Sequence, residues 1–534
     1  MSPRRLATRA AVVLALFLSA GASEPLNPLV EAVKRAGQDR NRVAELLRQR
    51  VDPNSADVYG STALHWAAEL DDVQTVLLLL GAGANPKAIN RYGVAPLTLA
   101  STNGNAAIIG KLLAAGADAN TTAPGGETVL MTASRTGNVD AVTALVRAGA
   151  DVNARDSVRG QTALMWAAAE GHATVIQTLV VAGADITARS RRPGATPATA
   201  SVASRTPPTQ AAASRPMPDF FTRSNGGPLN TPMVVDSMSP LMFAVRAGRL
   251  AAVRALLDNG ANVNETTSNG LSVLVLATIN AHYELAAFLL DRGADPKAAG
   301  QGWTALHQVV TTPRFSYGRF PHPPQTGRVS PLDLATKLIE RGADVDARMS
   351  VPTMGDGYRT RLNRLGATPL LLAAKGAYPE MMQLLLEHGA DLHAKTAEGT
   401  TALMLASGVA IFNEGDDAGT EAETLQAVKL LVERGADVNR IDDNGETAVH
   451  GAAYRGHNSV VQYLADQRAR LDVKNRIGWT PVTIADGVLY AEFFKQHRDT
   501  AALLRRLLTE RGIAVEDAGI VNQDPRTRTR GSER

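Results

Sequence analysis

The stretch Gly160-Gln-Thr-Ala-Leu-Met-Trp-Ala-Ala168 decides the fold, because it returns along the chain with small changes. It matches Gly60-Ser-Thr-Ala-Leu-His-Trp-Ala-Ala68, and shorter versions begin at Gly302 and Gly445. A second string, Gly-Ala-Asp-Val-Asn or a close variant, follows at positions 116, 149, 260 and 435. Units begin at 60, 93, 126, 160, 237, 270, 302, 366, 399, 445 and 478, and five of the intervals are 33 residues. Such a period predicts a repeat architecture.

Each unit carries the local signals of two helices and a turn. Thr62 can cap the first helix, since its hydroxyl can accept a hydrogen bond from an unpaired backbone N–H. Leu64 and Ala67 follow at helical spacing, and Gly137 is typical of the turn between the two helices. A glycine such as Gly149 then ends the second helix. One unit cannot bury both of its faces, so neighbouring units are predicted to stack into a solenoid with a concave side.

In period and in motif the chain resembles the ankyrin repeat, and the resemblance covers nearly all of the chain after residue 22. A divergent unit at 27–59 brings the predicted number of units to about twelve. The resemblance implies an all-α ankyrin-repeat solenoid of helix-turn-helix units, joined by β-hairpin-like fingers. It also implies binding of other proteins through finger tips and first-helix surfaces.

Departures from the 33-residue period divide the chain further. The predicted order is a signal peptide at 1–22, a cap plus four repeats at 23–188, a loop at 189–236, seven repeats at 237–512 and a disordered basic tail at 513–534. Inserts are predicted at 312–330, 349–365, 408–422 and 487–496. Residues 189–236 hold eight prolines and six arginines, which indicates disorder. We favour one continuous stack with a long looped-out finger there, over a domain boundary, because both flanks stay apolar.

The first 22 residues have the three parts of a secretory signal peptide. Arg4, Arg5 and Arg9 precede an apolar run at 10–20, and Ala20-Gly21-Ala22 is a small-residue cleavage site. The run is too short for a bilayer of about 30 Å. We therefore expect cleavage near Ala22 by the general export route and a periplasmic or secreted protein of the exported bacterial type.

Composition excludes several classes of site. The chain has no cysteine, which removes disulfides, zinc fingers and cysteine nucleophiles. Of 55 basic residues, three lie in 1–9, six in 189–235 and four in 525–534, so the rest of the chain has 42 basic and 50 acidic residues. An acidic body argues against a nucleic-acid groove. Of the ten histidines, seven fill structural positions of the repeat, and none has metal-ligand spacing.

These observations predict a scaffold that binds a protein partner, and not an enzyme. We expect no cofactor, no metal, no nucleic acid, no membrane span and a monomer. Candidate contacts beside the finger glycine are Tyr59, Arg91, Tyr92, Trp303 and Trp479, and those in the inserts are Phe315, Tyr317, Arg319, Phe320 and Tyr358. Aromatic and arginine side chains are common at interface hot spots. The two tryptophans could equally pack over the next finger. The alternative function is an accessory or hydrolytic activity housed in the inserts.

Overall fold

A computed structural model describes residues 27–35, 40–191, 237–314, 324–351, 362–411, 419–490 and 493–515. The chain forms two compact units, of which the first ends at Asp185 and the second begins at Ile186. We call them unit 1 and unit 2. The predicted signal peptide, most of the predicted 189–236 loop and the tail from 516 lie outside the described residues, as do Phe315, Tyr317, Arg319, Phe320 and Tyr358.

Unit 1 consists of five antiparallel helix pairs in sequence order. They are α1 (Pro28–Lys34) with α2 (Arg40–Arg48), α3 (Ala63–Glu69) with α4 (Val73–Gly81), α5 (Pro96–Asn103) with α6 (Ala106–Ala114), α7 (Val129–Thr136) with α8 (Val139–Arg147), and α9 (Ala163–Glu170) with α10 (Ala173–Val181). Each first helix packs against the first helix of the next pair, and second helices do the same. The core lies between the two rows of helices and is built from alanine, leucine, isoleucine and valine.

Unit 2 continues the pattern with seven pairs. They are α11 (Pro240–Arg246) with α12 (Leu250–Asp258), α13 (Val273–Ile279) with α14 (Tyr283–Asp291), α15 (Ala305–Thr311) with α16 (Pro331–Glu340), α17 (Pro369–Lys375) with α18 (Pro379–Glu387), α19 (Ala402–Ser407) with α20 (Glu421–Glu433), α21 (Ala448–Arg455) with α22 (Asn458–Asp466), and α23 (Pro481–Asp486) with α24 (Arg498–Glu510). Strands β1 (Val488–Tyr490) and β2 (Phe493–Lys495) form an antiparallel ribbon between α23 and α24.

The prediction of a helical repeat solenoid is therefore confirmed, with one local exception. Within the described residues, the ribbon of β1 and β2 is the only regular sheet, and it lies in the insert predicted at 487–496. The loops that join the repeats contain single antiparallel bridges in place of strands, for example between Ala56 and Thr62 and between Thr122 and Thr128. The fingers are therefore short turns. Some of them are closed by a single bridge.

Asparagine side chains join consecutive fingers. Asn120 donates from Nδ2 to the carbonyl oxygen of Gly149 at 3.1 Å, and its Oδ1 accepts from the backbone N–H of Asp151 at 2.8 Å. Asn54, Asn153, Asn264 and Asn439 make the same pair of contacts with the repeat that follows. Each amide satisfies backbone groups that the turn leaves without a partner. The ladder therefore fixes the spacing of the fingers.

Ser190 and Met238 meet at the base of the long loop. The backbone N–H of Ser190 donates to the carbonyl oxygen of Met238 at 2.9 Å, and the N–H of Met238 donates to Ser190 Oγ at 3.0 Å. Arg189 forms an ion pair with Glu265 at 2.8 Å beside them. The chain consequently leaves unit 2 and returns to it at one place.

Candidate surface for protein contact

The loop tips of unit 1 carry apolar and arginine side chains at the surface. We call this surface the tip row and define it by Val58, Tyr59, Ile89, Arg91, Tyr92, Val158 and Arg159. Tyr92 is 57% exposed and Ile89 is 65% exposed. The ring centroids of Tyr59 and Tyr92 lie 6.1 Å apart, and the backbone N–H of Arg91 donates to the Tyr59 carbonyl oxygen at 2.9 Å. The structure thus brings together three of the residues that the sequence predicted as contacts.

The acidic residues of these tips are used inside the turns. Oδ1 of Asp57 accepts from the backbone N–H groups of Tyr59 and Ser61 at 3.0 and 2.9 Å. Asp156 accepts in the same way from Val158, Arg159 and Gln161. Asp156 is buried. The exposed charged side chains of the tip row are those of Arg91 and Arg159.

Two half-exposed tryptophans lie on the first helices of unit 1. We call the positions four residues after each N-cap the first-helix face, and Trp66 and Trp166 occupy it in α3 and α9. Lys34 Nζ lies 4.5 Å from the Trp66 ring centroid, and Trp66 Nε1 donates to Asp57 Oδ2 at 3.0 Å. Arg135 lies 5.1 Å from the ring of Trp166. Trp66 and Trp166 were not among the predicted contact residues, although the spacing Thr-x-x-x-Trp in both quoted strings marks them.

Trp303 and Trp479 lie inside unit 2, each only 7% exposed. The reason is visible at Trp479, whose backbone N–H donates to Asn475 Oδ1 at 2.9 Å. Its carbonyl oxygen contacts Nε2 of His450, in the preceding repeat, at 3.2 Å. These bonds turn the residue inward between two repeats. We therefore leave both tryptophans out of the proposed contact surface.

The apolar side chains of the first-helix face are buried in unit 2, whereas Trp66 and Trp166 of unit 1 are half-exposed. Those of unit 2 are at most 4% exposed: Phe243, Leu276, Leu372, Leu405 and Ile484. Arg314, in the insert predicted at 312–330, lies beside the starts of the second helices of the next two repeats. Arg314 forms an ion pair with Glu423 at 2.8 Å and lies 4.4 Å from the Tyr378 ring, so that one side chain links three repeats.

Buried histidines hold the starts of several first helices. In His450, Nδ1 accepts from the backbone N–H of Thr447 at 3.1 Å, which leaves the Nε2 proton to donate to the Trp479 carbonyl. His307 makes the corresponding contacts with Thr304 and Ala367. Burial lowers the pKa of both imidazoles to about 4 and also lowers the pKa of His65. These histidines are neutral structural groups.

The described residues contain no cluster of three or more His, Asp or Glu side chains arranged to hold a metal ion. Among the described helices, none combines the length and the apolar character that crossing a membrane requires.

Stacked helix pairs, an asparagine ladder and an exposed tip row define a helical repeat protein. Family models for ankyrin repeats match residues 29–123, 97–190, 211–300, 359–406 and 418–493. The chain belongs to the ankyrin-repeat family.

Curated relatives share the repeats over part of their length. The chain is 32% identical over 212 residues to human ankyrin repeat and SOCS box protein 16, which covers 38% of this chain and 40% of that protein. It is 26% identical over 246 residues to human transient receptor potential cation channel subfamily A member 1, covering 46% of this chain and 19% of the channel. It is 29% identical over 159 residues to human neurogenic locus notch homolog protein 1, covering 30% of this chain and 5% of that protein. The chain thus spans less than half the length of each of these relatives.

Proposed function

We propose that the protein is a scaffold that binds a protein partner through unit 1, by way of the tip row and the first-helix face. Ankyrin repeats generally serve as protein interaction scaffolds, which supports the class of function. The location of the contact surface rests on two rings at adjacent loop tips, the half-exposed Tyr59 and the exposed Tyr92, which lie beside Arg91. The nearby carboxylate of Asp57 is hydrogen-bonded within its own turn.

The chemistry of the tip row indicates what kind of segment the partner presents. Tyr92, Ile89 and Val158 offer apolar area, and large aromatic side chains give contact area with few torsions to restrict. Arg91 and Arg159 favour carboxylates, which arginine can bind through two parallel hydrogen bonds. We therefore propose a partner segment that combines apolar side chains with Asp or Glu.

The test uses the full chain and a matched pair of double variants. Partners are first captured on the immobilised wild-type chain and identified by mass spectrometry, and their affinities are then measured by calorimetry. Replacing Arg91 and Tyr92 by Ala should weaken binding at least about tenfold, which equals about 1.4 kcal/mol. Replacing Leu77 and Leu78, exposed on α4, by Ala is the control and should leave the affinity unchanged. An unchanged affinity of the Arg91/Tyr92 variant would place the contact surface elsewhere.

Export is a separate proposal, which rests on residues 1–22 alone. The curated relatives named above are human proteins and lend no support to an exported bacterial type. We propose that the mature chain begins at Ser23 and is found in the periplasm or the medium. We also propose that it is a monomer and does not bind nucleic acid. Amino-terminal sequencing of the protein isolated from cell fractions tests this, and an intact Met1 in the cytoplasmic fraction would contradict it.

A further inference from the structure

Residues Gly408–Ile411 cross from the end of α19 to the first helix of the next repeat. In most repeats of the chain the first helix is followed at once by a turn and the second helix. Here the chain passes over α21, and Val409 and Ile411 are only 4% and 2% exposed although they belong to an insert. Side chains so deeply buried in a loop must have an apolar surface beneath them. We call residues 408–411 the cover segment.

Gly451 is the residue that makes room for the cover segment. It lies in the middle of α21, four residues after the N-cap Thr447, where most other repeats carry Trp, Leu, Phe or Ile. A Cβ atom at this position would lie 2.5 Å from the backbone nitrogen of Val409 and 2.8 Å from the carbonyl carbon of Gly408. Glycine is unfavourable inside a helix, so its presence here needs a reason, and the close approach of this backbone supplies one.

The ends of the insert are held by α21 as well. Gly408 has a φ of +115°, and Arg455 occupies the space that a Cβ atom of this residue would need, with Cδ 2.6 Å away. The Arg455 guanidinium donates to Thr424 Oγ1 at 3.1 Å and to the Gly419 carbonyl oxygen at 2.8 Å. The groove under the cover segment is lined by Glu446, His450, Gly451, Tyr454 and Ile484.

We propose that the cover segment is an internal ligand, which closes a second contact surface on the first-helix face of unit 2. That surface takes a short apolar peptide segment, since the segment Gly-Val-Ala-Ile of the chain itself fills it in this conformation. A partner reaches it only after the cover segment has moved away. The role of the cover segment is independent of the function proposed for unit 1, and it can be tested without a partner protein.

The absence of cysteine allows a direct measurement of this movement in the full chain. Val409→Cys places a thiol on the cover segment, and Val449→Cys places one in α21, where Val449 is fully buried. Each variant is labelled with DTNB under native conditions and in urea. If the cover segment opens locally, the thiol at position 409 should react at least about tenfold faster in the native state than the thiol at position 449, and both should react alike in urea. Equal native rates would show that the segment opens only with the repeat, as part of the core, and would overturn the proposal.

An apolar dye provides a second test that needs no cysteine. The double variant Val409→Ser with Ile411→Ser should bind ANS at one saturable site that the wild type lacks, with an unchanged far-ultraviolet circular dichroism spectrum. Adding Gly451→Leu, a residue found at this position in α17 and α19, should fill the groove and remove the site. A loss of helical signal in the double variant, or no new dye site, would show that no separate groove lies beneath the segment.

Discussion

A fall in pH should destabilise the repeat that contains His450, and the size of the effect follows from the pKa of this residue. Its Nδ1 accepts from the Thr447 N–H, so a proton added there would meet a donor and have no partner. Burial lowers the pKa of His450 to about 4, compared with about 6.5 in the unfolded chain. The unfolded state thus binds more protons between pH 6.5 and pH 4. Stability is fully present above pH 6.5 and falls as the pH is lowered through this window. At pH 5 the loss amounts to about 2 kcal/mol.

The assay compares His450→Met with the wild type. Methionine fills this position in four other repeats, at Met131, Met165, Met242 and Met404, so the chain itself shows that it fits. The carbonyl oxygen of Trp479 accepts a hydrogen bond from His450, and the fluorescence of Trp479 reports on this contact when the other three tryptophans are replaced by Phe. Urea titrations of Trp479 fluorescence at pH 7 and pH 5 give the loss of stability for each chain.

The wild type should lose about 2 kcal/mol more than His450→Met when the pH falls from 7 to 5. Met404→Leu, in the neighbouring repeat, is the control: it should alter stability at both pH values and leave the pH dependence as in the wild type. If wild type and His450→Met lose the same amount, His450 is not the buried neutral group inferred from these contacts.

Two further predictions concern unit 1. Asn120→Ala removes the two hydrogen bonds to Gly149 and Asp151 and should destabilise the unit by about 1 to 2 kcal/mol, as measured by urea titration. An unchanged urea midpoint would show that the asparagine ladder contributes nothing to stability. Gly137→Ala should lower the free energy of unfolding more than Gly149→Ala does. Both glycines have a positive φ, which should cost about 1 kcal/mol in Gly149→Ala, but only a Cβ atom at position 137 would also meet the His172 ring, at 2.5 Å. Equal losses of stability in the two variants would contradict the clash.

The period of 33 residues was enough to predict the helix pairs, because most repeats carry their own cap residues and apolar positions locally. Thr304 and Ser239 cap first helices as the motif requires, and each side-chain oxygen accepts from the N–H three residues on. The contact surface was harder to predict. Tyr92 and Trp479 both stand next to a finger glycine, but Tyr92 precedes it and is exposed, whereas Trp479 follows it and is held inward by Asn475 and His450. The difference depends on the order of residues within one turn.

The contact between Val409 and Gly451 shows what a sequence pattern alone leaves open. The two residues are 42 positions apart, and neither the insert nor the glycine has a fixed offset that would reveal the other. A glycine inside a helix signals a close approach of some backbone, but the approaching segment becomes identifiable only when the repeats are stacked. Trp66 was missed for a different reason, since its signal was present in the quoted motif but was not used.

Ser190 and Met238 make one loop of unit 2 a natural position for added sequence. Because these two residues hold the ends together, the distance between the two ends within unit 2 does not depend on how many residues lie between them. The entropy of closing a flexible loop grows only with the logarithm of its length, so that doubling the loop costs about 0.6 kcal/mol. Evolution can therefore lengthen, shorten or replace this stretch without loss of the fold. A reporter domain with neighbouring termini could be inserted there, and it would leave the helices of unit 2 in place.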